Sequence, residues 1–99
     1  MKKGFKITRH KGFHMTFENG VTVSVQFGPG NYCDKREQDF DVPKQVDVVN
    51  STNAEVAVWK EDKTWITKEF KDEGDDVLGW QSPEDVLKLL NWAKNYKVD

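Results

Sequence analysis

Apolar and polar residues alternate in the segment FHMTFENGVTVSVQF, which is typical of two β-strands joined by a turn. A three-residue loop over residues 18 to 20 pairs Phe17 with Val21 and places every apolar residue on one face. A two-residue Asn-Gly turn would oppose apolar and polar residues instead, so we predict the longer loop. The apolar face comprises Phe13, Met15, Phe17, Val21, Val23, Val25 and Phe27, and the polar face comprises His14, Thr16, Thr22, Ser24 and Gln26.

A second hairpin is predicted in the segment AEVAVWKEDKTWITKEF, with its turn at residues 61 to 63. This register aligns Trp59 with Trp65 on one face of the hairpin. On the other face it aligns Val58 with Ile66. Because both faces carry apolar residues, we expect this hairpin to be more central in the sheet than the first.

The segment SPEDVLKLLNWAKNYK carries the signals of an α-helix, with Ser82 as N-cap, Pro83 at the first position and Asp85 completing a capping box. An extended piece over residues 76 to 80 precedes it. The expected fold class is therefore α+β, an antiparallel sheet of about four to five strands, including two hairpins, packed on one C-terminal helix. The apolar stripe of the helix comprises Val86, Leu89, Leu90 and Ala93, widened by Leu87 and Trp92.

The composition limits the chain to one domain. Its 99 residues suffice for a single core, so residues 1 to 99 are expected to form one α+β domain. Only 36% of the residues are hydrophobic, so the aromatic side chains must supply much of the buried surface. A single cysteine cannot form an internal disulfide, and no segment has the apolar length of a signal peptide or a membrane span. These features favour a cytoplasmic protein without a membrane partner.

The charge is distributed unevenly along the chain. The net charge is -2, but residues 1 to 50 carry eight basic and six acidic residues, whereas residues 51 to 99 carry seven and eleven. The first eleven residues hold five basic side chains and no acid, as an arm that binds nucleic acid would. The overall acidity disfavours that partner. The acidic run EFKDEGDD lacks the ligand order of a Ca²⁺ loop, and we expect it to be a solvated turn.

Candidate catalytic groups are few. Cys33 would act as a nucleophile only if His10 or His14 came close enough to serve as its base, and nothing in the sequence brings them together. The same residues show no spacing diagnostic of a metal site. The sequence therefore indicates no catalytic residue, no metal and no cofactor, and it favours a binding role over an enzymatic one.

The loop after the first hairpin, GPGNYCDKR, is a candidate ligand site. The end of a strand explains its glycines and proline, and it matches neither the dinucleotide fingerprint nor the phosphate loop. The polar residues that follow the glycines are still compatible with an anion bound by backbone amides and side chains. The alternative function is therefore a small-ligand or nucleotide-sequestering module that uses the loop from Gly28 to Arg36. Its ligand-binding residues would be Asn31, Tyr32, Cys33, Lys35 and Arg36.

A partner-binding face is the leading expectation. If the one helix covers one face of the sheet, the other face is open, and the register decides which face carries Trp59 and Trp65. A tryptophan pair beside a polar stripe suits protein binding, because aromatic anchors dominate the energy of interfaces. The partner would be another protein, or a second copy of the chain in a homodimer. The residues of this face are His14, Thr16, Ser24, Gln26, Trp59 and Trp65.

Four blocks of the sequence are recognisable as motifs, namely F-x-N-G, S-V-Q-F-G, G-N-Y-C and A-E-V-A-V-W. Through them the chain resembles, over most of its length, a family of small uncharacterised proteins found largely in bacteriophages and prophages. The resemblance implies a small accessory phage protein made in the cytoplasm of the bacterial host, and it implies no particular activity. By analogy with phage proteins of this size, the expected role is to bind a host or phage protein, including as an inhibitor of host defence.

Overall fold

The computed structural model describes residues 3–8, 12–27 and 50–98. Within them, five antiparallel strands form one sheet in chain order, so that each strand pairs with the next. The strands are β1 (Gly4–Ile7), β2 (Gly12–Thr16), β3 (Thr22–Gln26), β4 (Ala54–Trp59) and β5 (Leu78–Gln81), and the helices are α1 (Thr67–Phe70) and α2 (Pro83–Lys94). The predicted α+β fold, with an antiparallel sheet packed on a C-terminal helix, is confirmed.

The first hairpin has the predicted register. The Phe17 N–H donates to the Val21 carbonyl at 3.0 Å, and Met15 lies opposite Val23. Gly20 closes the three-residue loop with φ +83°, a backbone conformation that favours glycine. The alternation of apolar and polar residues therefore determined the pairing of β2 with β3.

Helix α2 covers one face of the sheet and completes the core. Its capping box is formed, because the Ser82 hydroxyl accepts from the Asp85 N–H at 3.1 Å and the Asp85 carboxylate accepts from the Ser82 N–H at 3.0 Å. The helix is too short to span a membrane, as is every other helix in the described part of the chain. The buried core comprises Val21, Val23, Val25, Ala54, Val56, Val58, Ile66, Leu78, Leu89 and Ala93.

The helical stripe differs from the prediction in one residue. Leu89 is fully buried in the core, and Leu90 is partly buried against it. Leu87 is 58% exposed, so its assignment to the apolar stripe is wrong. The buried residues of α2, Leu89 and Ala93, are one helical turn apart, so the helix packs on the sheet along one side.

The second hairpin begins in the predicted register but does not continue as a strand. Trp59 and Trp65 form a β-bridge, and the Ile66 N–H donates to the Val58 carbonyl at 2.9 Å. The next residue, Thr67, starts helix α1. Its hydroxyl accepts from the buried Val58 N–H at 3.1 Å, which replaces the backbone partner that a longer strand would have supplied.

Two further differences concern the edges of the sheet. The basic start of the chain contributes a strand, β1, in which Phe5 lies opposite Met15. At the other edge, β5 covers Leu78–Gln81, so it begins two residues later and ends one residue later than the extended piece expected over residues 76 to 80. The five strands therefore consist of the first hairpin, β1 added to its outer side, and β4 and β5.

Candidate functional site

The predicted loop site lies outside the described residues. This holds for all five of its ligand-binding candidates, so the small-ligand alternative stays a prediction. These residues are Asn31, Tyr32, Cys33, Lys35 and Arg36.

The register of β2, β3 and β4 brings the predicted partner-binding residues together on the sheet face opposite α2. Thr16, Thr22 and Trp59 lie side by side across the three strands. The bridge to Trp59 sets Trp65 on the same face. The ring centroids of His14 and Trp59 are 5.0 Å apart, and those of Trp59 and Trp65 are 5.1 Å apart. We call His14, Trp59 and Trp65 the aromatic cluster.

The remaining members of the predicted face are less available to a partner. Ser24 is only 7% exposed. The Gln26 amide lies at the far end of the strand, where its Nε2 donates to the Thr8 hydroxyl at 2.8 Å and its Oε1 accepts from the same hydroxyl at 3.1 Å. Trp65 is the most exposed of the predicted residues, at 48%.

A hollow of about 460 Å³ opens beside the aromatic cluster, between β1 and the turn that follows β4. On its floor, the hydroxyls of Thr16 and Thr22 are hydrogen-bonded to each other at 2.8 Å. Trp59 forms an apolar part of the wall. The hollow is lined by Lys3, Gly4, Phe5, Lys6, His14, Thr16, Thr22, Trp59 and Lys63.

The hollow is rich in positive charge. Lys3 forms an ion pair with Glu18 at 2.9 Å, whereas Lys6 and Lys63 have no carboxylate partner within the described residues. Burial, and then the charges of Lys6 and Lys63, lower the pKa of the His14 imidazole below its ordinary value of 6.5. At neutral pH the site therefore presents ammonium groups around an uncharged imidazole.

The low pKa of His14 gives a testable pH dependence. The unfolded chain binds a proton on this imidazole more readily than the folded protein does, so stability should fall as the pH drops below about 6.5. In an NMR titration we expect the folded-state pKa of His14 to lie below that value. Lys6→Gln and Lys63→Gln should each raise it, and Lys88→Gln, on α2, should leave it unchanged. An unperturbed His14 titration would contradict the burial of the imidazole, and a pKa that neither Gln variant raises would contradict the description of the hollow as basic.

The hollow offers ammonium groups, hydroxyls and aromatic rings to a bound group. Within residues 3–8, 12–27 and 50–98, no group of three or more His, Cys, Asp or Glu side chains is placed to hold a metal ion. His14 contacts an aromatic ring, and the two floor hydroxyls are bonded to each other. The arrangement can accept an aromatic or anionic group of a partner.

Sequence reasoning missed the lysines of the hollow. Lys3 and Lys6 belong to the basic start, which the sequence presented as a charged arm, and Lys63 belongs to a turn far along the chain. The alternation of Phe5, Lys6 and Ile7 was the available signal, because it is the pattern of a half-buried strand. No pattern in the sequence links that strand with Lys63, since only the order of strands in the sheet brings them near each other.

Comparison with protein-family models, curated proteins and solved structures finds no match to this chain.

Proposed function

We propose that this chain is a non-enzymatic binding protein that recognises another protein through the aromatic cluster. One observation carries the proposal. His14, Trp59 and Trp65 are in ring contact on the sheet face that α2 does not cover, and the outermost ring, Trp65, is about half exposed.

Such an arrangement supplies what protein interfaces use. Tryptophan is among the residues that contribute most to binding energy, and a rigid ring loses little conformational freedom when a partner covers it. Trp59 holds Trp65 in place from one side, while Trp59 is itself contacted by His14. The cluster is therefore preorganised, and the adjoining hollow offers space for a side chain of the partner.

The resemblance to phage proteins supports a biological setting for this binding. In that setting, the chain is an accessory protein in the cytoplasm of a bacterial host, and its partner is a host or phage protein. Inhibition of a host defence protein is the role that fits a small protein which acts by occupying a surface.

Replacing Trp65 with Ala should test the proposal, because it removes the exposed anchor without removing a core residue. We expect capture of a specific partner from host lysate, with immobilised protein, to fall at least about tenfold relative to the wild type. The purified partner should then show the same loss in a binding titration. Circular dichroism should confirm that the variant is folded.

Trp80→Ala is the matched control, because Trp80 is also exposed, at 57%, but lies on β5 and is not part of the aromatic cluster. It should retain the partner. If the wild type captures no reproducible partner, or if Trp65→Ala captures as much as the wild type, the aromatic cluster does not bind a protein.

A further inference from the structure

Strand β1 lies at one edge of the sheet, and its outer side is unpaired within the described residues. The Thr8 N–H donates to the Gly12 carbonyl at 3.0 Å, which fixes the phase of hydrogen bonding between β1 and β2. In an antiparallel ladder the bonded pairs alternate with non-bonded pairs. Phe5 and Ile7 therefore direct their N–H and C=O groups away from β2, towards the open edge.

The two side-chain faces of this edge have opposite character. Phe5 and Ile7 project on the same face as α2, yet they lie beyond the helix and are 71% and 76% exposed. Lys6 projects on the other face, next to the basic hollow. One edge thus combines unpaired backbone groups, two exposed apolar side chains and a concentration of positive charge.

We propose that the β1 edge binds an extended acidic segment of a partner protein, which adds to the sheet as a sixth strand. Successive side chains of a strand point to opposite faces. Alternate residues of the segment would therefore place carboxylates near Lys3 and Lys6 and apolar side chains on Phe5 and Ile7. Main-chain hydrogen bonds provide affinity in this mode of recognition, and the alternate side chains provide specificity. The inference rests on the proposed function and specifies the chemistry of the partner.

Charge disfavours the simplest competitor, a second copy of β1. The first eleven residues carry five basic side chains and no acid, so two paired copies of β1 would bring like charges together. An acidic segment meets the opposite charge at Lys6, which lies on β1 and has no carboxylate partner within the described residues. A small anion could also contact the lysines, but it would leave the unpaired backbone and the exposed Phe5 and Ile7 unused.

Four short peptides test the proposal on the full chain. The first is an acetylated octapeptide in which Glu alternates with Val, and the second has Lys in place of Glu. The third is the first peptide with the backbone amides of its Val residues methylated, and the fourth has the amides of its Glu residues methylated instead. The readout is amide hydrogen exchange by NMR at Phe5 and Ile7, whose N–H groups face the open edge and should exchange rapidly in the free protein.

We expect the acidic peptide at saturation to slow exchange at Phe5 and Ile7 by at least about tenfold, and the basic peptide to have no effect. In an antiparallel sixth strand, the Val residues lie opposite Phe5 and Ile7 and share their face, so methylating their amides should abolish binding. Methylating the Glu amides should leave binding intact. Binding that survives both methylations would show charge attraction without strand addition and would overturn the proposal.

Lys6→Glu should lower the affinity for the acidic peptide by about tenfold, and added salt should lower the affinity of the wild type for this peptide as well. Lys88→Glu, on the exposed side of α2, is the matched control and should not change the affinity. Protection of the two amides that grows with protein concentration, without peptide and with a dimer mass in light scattering, would assign the edge to a second copy and reject the proposal.

The outcomes for the edge and for the aromatic cluster can be separated. A partner that is lost with Trp65→Ala but binds Lys6→Glu as tightly as the wild type would support the proposed function and reject the inference about β1. Protection of Phe5 and Ile7 by the acidic peptide, together with a partner that Trp65→Ala retains, would support the edge and reject the aromatic cluster.

Discussion

Replacing Leu89 with Ala should lower the free energy of unfolding by about 2 to 5 kcal/mol. The Leu89 side chain is fully buried in the centre of the core, where α2 packs against the sheet. The substitution removes apolar surface from the core and leaves a cavity that the surrounding strands cannot close completely. Urea unfolding monitored by circular dichroism measures this decrease in the free energy of unfolding. Leu90→Ala should cost less than Leu89→Ala, because Leu90 is only partly buried.

Leu87 provides the matched control on the same helix. Its side chain is mostly exposed, so Leu87→Ala should change the free energy of unfolding by no more than about 0.5 kcal/mol. The helix propensity of Ala is at least as high as that of Leu, so a loss in the Leu89 variant cannot come from the helix itself. Equal losses at Leu87 and Leu89 would contradict the packing of α2 described above.

Replacing Asn19 with Asp should lower the free energy of unfolding by about 2 to 3 kcal/mol at pH 7. The Asn19 side chain joins the turn of the first hairpin to the end of α2. Its Nδ2 donates to the carbonyls of Ala93 at 2.9 Å, Lys94 at 3.3 Å and Tyr96 at 3.0 Å, and its Oδ1 accepts from the Val21 N–H at 3.0 Å. Aspartate keeps the acceptor, loses the donor and places a negative charge against carbonyl oxygens.

The pH dependence of the Asn19→Asp variant separates its two effects. The carbonyls disfavour the charged form of the new carboxylate, so its pKa should be higher in the folded than in the unfolded state, and the penalty should shrink as the pH falls through that range. Asn19→Ala removes the hydrogen bonds without adding charge. It should lower the free energy of unfolding by a smaller amount, about 1 to 2 kcal/mol, and this decrease should not depend on pH. Urea unfolding at neutral and acidic pH compares them. Identical pH profiles for the two variants would contradict the contact with the end of α2.

The contact made by Asn19 also shows where sequence reasoning stops. The three-residue loop and the register of β2 with β3 followed from the alternation of apolar residues and from the Asn-Gly pair. The same pattern could not show that the Asn19 amide reaches carbonyls more than seventy positions away. The turn chemistry is local in sequence, whereas the partner at the end of α2 is determined by how the helix crosses the sheet.

The prediction of a full second strand in the second hairpin was wrong for a related reason. The residues around the turn had the expected spacing, and the bridge between Trp59 and Trp65 formed. The strand then ended because the hydroxyl of Thr67 satisfied the buried Val58 N–H. Threonine is β-branched and common in strands, so the presence of Thr67 in the sequence predicted a longer strand. Its side-chain hydrogen bond instead allowed a helix to begin there.

Some features of the candidate site were likewise predictable from the sequence, and others were not. The polar stripe on β2 and the pairing of Trp59 with Trp65 were predictable, because both depend on periodicity within a hairpin. The proximity of His14 to Trp59 requires that β4 pairs with β3, which hydrophobic patterning does not specify. The basic hollow requires in addition that the charged start of the chain forms β1.

The position of α2 after the last strand has a consequence for synthesis of the protein. The strands lie in chain order, so each can pair with its predecessor as it leaves the ribosome. The apolar face formed by β2, β3 and β4 nevertheless stays uncovered until α2 has also emerged, because that helix supplies Leu89 and Ala93. A nascent chain that stalls before α2 would expose this face to solvent and to neighbouring chains, and chaperones of the cell would bind it there.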